Sequence, residues 1–181
     1  MAEGVPVEIV ALVVSAVHAF EGRPQDGPRP EPEPIQRSEV TIKSGLGIVG
    51  DRYFNQAIHR NAAVTVLDAA VLDQLALDLG LAAAPDPHLL RRNIVLRGFP
   101  VDQLAARRDE SGHRVPGATF TLDSGSGPIT FQAHRPANPC AWMDQVLAPG
   151  AFKALRSHGG IRCEPLTSGT LRLGPATFTT D

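Results

Sequence analysis

GATFTLDSGSGPITFQAH, residues Gly117–His134, holds two Thr- and Phe-rich runs on either side of a Gly-Ser-Gly. β-Branched and aromatic residues suit a pleated strand and glycine suits a tight connection, so the stretch is expected to be two strands joined by a turn. Working outward, RRNIVLRG carries a short strand over Asn93–Leu96, and NAAVTVL another before it. Between these, Asp68 is the expected N-cap of a helix, AAVLDQLALDLG, with Val71, Leu72, Leu75 and Leu79 on one face and Gly80 at its end. Upstream, Val5–Val14 reads as a buried strand and SEVTIKS as a half-exposed one, followed by the turn GLGIVGD. Downstream, NPCAWMDQVLAPGAFKALRSHGG suits two short helices split at Pro149-Gly150, and TLRLGPATFTT closes as strand and turn.

That is roughly six to eight strands and about three helices without a βαβ rhythm. The expected fold is mostly β with α: a mixed, largely antiparallel sheet curled into a β-barrel-like body with about three flanking helices. EGRPQDGPRPEPEPIQR interrupts this pattern with prolines that forbid helix and central strand, so residues 24–37 are expected to form a surface arm.

At 181 residues the chain is expected to be one domain, 1–181. A formal charge of −2 gives no electrostatic reason to expect nucleic acid or an anionic membrane as partner. The first apolar run is broken by Glu8 and lacks a basic leader, so it is read as a strand and not a signal peptide. Only Cys140 and Cys163 are present, which argues against a disulfide framework and for a reducing, cytoplasmic setting.

Proline at 139 disfavours helix at Asn138 and suits a first helical position, so Asn138 is the expected N-cap, Pro139 N1 and Cys140 N2. Free backbone N–H groups there favour a thiolate. A buried, inert cysteine is the competing reading for Cys140 and the expected one for Cys163. The histidines (18, 59, 88, 113, 134 and 158) are scattered and no CxxC or HxxxH occurs, which speaks against structural zinc; a Cys140 pair with His134 or His158 stays open. GLGIVGD is neither a Walker loop nor a dinucleotide fingerprint; it is a structural turn or a cradle of bare amides, and Asp51 and Arg52 after it pair locally or face a ligand. If Arg91 and Arg92 enter the strand, alternation turns one inward as an anion clamp and leaves the other solvated, against a reading of both as surface charges. Arg23, Arg29 and Arg37 around the arm pose the same choice.

In order, HAFEGRP, GLGIVGDRYF, RRNIVLRG, ANPCAWMD and GGIRCEPLTSGTLRLG resemble the MOSC domain, the C-terminal module of molybdenum cofactor sulfurases, in its small stand-alone bacterial form. The resemblance runs from about Val7 to Leu173. It implies a β-barrel-like fold and a molybdenum cofactor (molybdopterin), with Cys140 as the metal ligand and catalytic residue or as a sulfur carrier. Arg91, with Arg92 adjacent, and Asn138 match positions that hold the pterin or its phosphate; Asp51 and Arg52 are candidates beside them. No pyridoxal phosphate is expected in this chain. The implied function is an oxidoreductase reducing small N-hydroxylated compounds with a separate electron-donor protein. The alternatives are a persulfide sulfur carrier served by a sulfur-donor protein, and a non-enzymatic binding domain.

Overall fold

The structure is a computed structural model and describes residues 3–180. β1 (Val5–Leu12) is followed by the proline-rich arm, β2 (Glu39–Lys43) and β3 (Gly47–Ile48). Then come β4 (Val64–Asp68), α1 (Ala70–Leu79), β5 (Ile94–Arg97) and a two-stranded flap, β6 (Arg107–Arg108) with β7 (Arg114–Val115). The hairpin β8 (Thr119–Asp123) and β9 (Ile129–Pro136) leads into α2 (Trp142–Val146) and α3 (Ala151–Ala154). β10 (Ile161–Pro165), β11 (Gly169–Arg172) and β12 (Gly174–Thr180) complete the chain.

Seven strands close a barrel in the order β1-β12-β8-β9-β10-β4-β5. Every ladder is antiparallel except β4 with β5, and α1 supplies the crossover that parallel neighbours require. β2, β3 and β11 form a separate small sheet. The mixed barrel with three short helices is the expected class, with more strands than expected because two-residue pairings leave no periodicity to read.

The hairpin at 117–134 is where it was expected, and its alternation explains the barrel. Phe120, Leu122, Ile129, Phe131 and Ala133 point inward while their neighbours stay at least partly exposed. Phe120 stacks on Phe131 at 5.2 Å and on Phe178 at 5.1 Å between ring centroids, and Phe178 on Phe99 at 4.1 Å. Each fully buried phenylalanine contributes about 1.5–3 kcal/mol, so this stack is a main source of barrel stability. β4 is buried on both faces: Val64 and Val66 fill the barrel, while Leu67 joins Leu72, Leu75, Trp142 and Leu155 in a second core beneath the helices.

Two expectations need correction, and one feature adds to what the sequence suggested. Ala69 and not Asp68 is the N-cap of α1; the Asp68 carboxylate still accepts from Ala70 N at 3.0 Å. α2 starts at Trp142 with Ala141 as its N-cap, so Cys140 precedes the helix and is not at N2. The arm is held to the body: Val14 N donates to Ile35 O and Arg37 N to Leu12 O, each at 2.9 Å.

Candidate functional site: an arginine-lined pocket around Cys140

Four segments between strands, joined by side chains of β4 and β10, converge on a pocket of about 330 Å³. They bring Phe20, Arg52, Arg91, Arg92, Asn138, Cys140 and Arg162 together, with Trp142 behind the cysteine. Among its lining residues there is no carboxylate, while four are arginine, so a chain of net charge −2 has concentrated positive charge in one concavity. Such a site favours an anion.

The floor is a buried polar knot. Asn93 accepts from Thr65 N at 2.9 Å and Thr65 Oγ1 at 3.0 Å, and donates to Val13 O and to Asp51 Oδ2, each at 3.1 Å. Asp51 also accepts from Ser15 N at 3.3 Å and Tyr53 N at 3.1 Å. Each oxygen of its carboxylate is therefore engaged within the fold, and Asp51 lies behind the pocket, outside its lining. In GLGIVGD, Gly45 N donates to Pro165 O, Leu46 N to Lys43 O, Val49 N to Thr41 O and Asp51 N to Ile48 O, and none of these seven residues lines the pocket, which the turn supplies with Arg52.

The two consecutive arginines do not divide as strand alternation requires. Arg91 closes a short 3-10 turn over Pro87–Leu90 in the left-handed region at φ 57°, and β5 starts only at Ile94. The period of two therefore does not reach them, and both line the pocket. Their partners differ sharply. Arg91 donates to Ser15 Oγ and to the Glu31 carboxylate on the proline-rich arm, and its guanidinium lies 5.3 Å from the Phe20 ring centroid. Arg92 has no carboxylate: its Nε donates to Gly159 O at 2.7 Å and an Nη to Ala137 O at 2.9 Å. Burial, reinforced by the charge of Arg162, pulls the Arg92 guanidinium down to about 10, so it remains protonated at neutral pH.

Arg52 Nε is buried with no hydrogen-bond partner, and its guanidinium sits 4.6 Å over Tyr53. A buried cationic donor left unpaired is expensive, which is the strongest local sign that this pocket is shaped for something negative. Arg162 was not singled out from the sequence. It alternates on β10 with core residues Ile161 and Cys163, and the same alternation turns it to the pocket. Burial first, then the charge of Arg135, lowers its pKa.

Cys140 is exposed and unpaired; Cys163 is fully buried, and that burial pushes its thiol far up. Neither His134 nor His158 lines the pocket: His134 Nε2 faces Glu164 at 3.6 Å and His158 Nδ1 faces Asp102 at 3.8 Å. His18 lines it instead. Of the other arginines, Arg29 pairs with Glu21 and Arg37 with Glu33, as surface charges do. No helix among the described residues is long and apolar enough to cross a membrane.

No family model matches the chain, and no curated protein matches its sequence. Solved structures do match. The YUAD protein from Bacillus subtilis superposes with a TM-score of 0.71 at 15% identity, covering 100% of this chain and 99% of that one. YiiM from Escherichia coli gives 0.58 at 14%, over 99% and 70% of the two chains. YiiM from Geobacillus stearothermophilus gives 0.60 at 14%, over 97% and 75%. At such identities the likeness is one of fold: a closed mixed β-barrel with short flanking helices, here carrying a thiol in an arginine-lined pocket.

Proposed function

We propose that this chain is a MOSC-type protein that holds the molybdenum cofactor in the Cys140 pocket and reduces small N-hydroxylated compounds with electrons from a separate donor protein. The observation that carries the reading is the exposed Cys140 thiol in a pocket whose four arginines face no lining carboxylate. The residues suit the group. Arg52, with its unpartnered Nε, together with Arg92 and Arg162 would hold the phosphate and offset the anionic pterin-dithiolene, and Cys140 Sγ would ligate the metal. Among the described residues no three His, Cys, Asp or Glu side chains converge, so a metal here has to arrive with ligands of its own. The cofactor, when bound, supplies a redox-active molybdenum centre. The chain's share is to bind, orient and exclude water: Asn138 lines the mouth beside the thiol, and Phe20 stacked on Trp142 at 5.3 Å forms an apolar wall.

Protein produced in a cofactor-competent host is expected to carry about one molybdenum per chain, and Cys140→Ala to lose it. A wild type without molybdenum, or retention in the variant, overturns the ligand assignment. A second reading is favoured by the same exposed thiol: a carrier whose Cys140 takes a sulfane sulfur from a persulfide donor, leaving the donor as its thiol. Its signature is a reductant-labile gain of about 32 Da that survives Cys163→Ala and is lost in Cys140→Ala.

A further inference from the structure

Arg92 reaches the pocket from a mount that belongs to another part of the molecule. Its two hydrogen-bond acceptors are backbone carbonyls, Gly159 O and Ala137 O, and Ala137 lies three residues before Cys140. The Gly159–Gly160 turn is wedged in place: a Cβ on Gly159 would lie 2.0 Å from Ala137 O, and one on Gly160, at φ 86°, would lie 2.2 Å from Val66 O. Ala137 N in turn donates to Gly160 O at 2.8 Å. What holds this turn from behind is Asp102, which accepts from Gly160 N at 2.9 Å. Asp102 does not line the Cys140 pocket; it opens on a different cleft, with Asp68, Leu75, Leu155 and His158.

We propose that Asp102 is the positioning residue of the anion site: its hydrogen bond to Gly160 fixes the glycine turn whose carbonyl, with that of Ala137, orients Arg92. The arrangement solves a specific difficulty. A carboxylate placed directly on Arg92, as Glu31 is on Arg91, would consume the charge that an incoming anion needs. Two carbonyls orient the guanidinium without neutralising it, and the carboxylate that stabilises them stays a peptide group away. The inference rests on the reading of the pocket as an anion site, and its test separates the two.

The probe is inorganic phosphate, titrated against cofactor-free protein from a host that makes no cofactor. The Arg92 Nε–H resonance is followed in the same samples by ¹⁵N NMR and assigned with Arg92→Lys. The wild type is expected to bind phosphate and to show a slowly exchanging Nε–H. Asp102→Ala is expected to weaken phosphate about tenfold and to lose the protected resonance, as removal of a supporting partner does. Asp102→Asn, whose side-chain oxygen still accepts from Gly160 N, is expected to keep both, within about threefold in affinity. Asp102→Ser, too short to reach, replaces alanine if that variant does not fold. Wild-type affinity and a protected Nε–H in Asp102→Ala overturn the proposal while leaving the anion site intact. An Asp102→Asn variant as weak as Asp102→Ala also overturns it, because charge and not the hydrogen bond would then be acting. Absence of phosphate binding in the wild type overturns the anion reading, and the Nε–H signal still decides whether Asp102 positions Arg92.

Discussion

Arg162 and Cys163 are consecutive residues of β10, and they belong to two regions built on opposite terms. On the Cys163 side, the barrel interior is apolar and buried, with a period of two along β8, β9 and β10. On the Arg162 side, the pocket joins side chains of β4 and β10 to segments between strands, and its arginines are held by backbone carbonyls at Arg92, by the Glu31 carboxylate at Arg91, and by no partner at Arg52 Nε. The first region gains from excluding water; the second leaves Arg92 without a carboxylate and Arg52 Nε without a partner, at a cost the barrel must cover. One face of the strand carries the apolar packing and the other the pocket charge.

The contrast breaks most visibly in thiol chemistry. An alkylating reagent on native protein is expected to modify Cys140 about a thousandfold or more faster than Cys163, which reacts only when the barrel opens. Comparable rates, read by mass spectrometry of each peptide, would mean that the two regions are not distinct. Next in size are the arginines. Arg92→Ala is expected to weaken phosphate about 10- to 100-fold, the range for charged hydrogen bonds, and Arg91→Ala by about threefold or less, because Glu31 already occupies that guanidinium. Arg52→Ala should lose about tenfold in affinity with a fall in thermal midpoint of no more than about 2–4 °C, since its buried Nε has no hydrogen bond to lose and only the contact with the Tyr53 ring is removed. Equal losses for Arg91 and Arg92, by calorimetry, would remove the distinction between the paired and unpaired guanidinium.

Smaller still are the stability effects. Cys163→Ser places a hydroxyl in an apolar core, at about 1–3 kcal/mol, and should lower the thermal midpoint by roughly 3–8 °C, whereas Cys140→Ser should leave it unchanged. The smallest concerns Asp102, whose carboxyl burial holds above the usual range against the opposing pull of the Gly160 hydrogen bond, with His158, Asp68 and Arg92 as its charged neighbours. Because its folded pKa is raised, its ionisation disfavours the fold at neutral pH, and that penalty is relieved as pH falls through the folded value. Asp102→Asn should therefore raise the midpoint at pH 7 by no more than about 2–4 °C, and the gain should vanish in acid. A variant less stable than wild type at pH 7 would reverse that sign.

The barrel was largely legible because its cause is periodic. Phe120, Leu122, Phe131 and Ala133 alternate with polar neighbours, and Leu72 and Leu75 sit at helical spacing. β10 was missed because IRCEP has too few residues and mixes a charge with each apolar position, although Cys163 in the core and Arg162 in the pocket are what alternation would have given. In the site, Cys140, Arg91, Arg92, Asn138 and Arg52 do meet in one pocket, while Asp51 supports it from behind. The helical placement of Cys140 failed because Pro139 permits a helix start without compelling one.

The sequence by itself determined the strand-rich class, the extent of α1, the irregularity of the proline-rich arm and the identity of the cysteine in question, since each follows from local spacing and backbone chemistry. Which arginine is free, which is tied to Glu31, and that Asp102 stands behind Arg92 were decided only by tertiary structure. Those facts depend on contacts between residues 45–67 positions apart, such as Arg92 with Ala137 and with Gly159 and Arg91 with Glu31 at 60, and no local pattern encodes them.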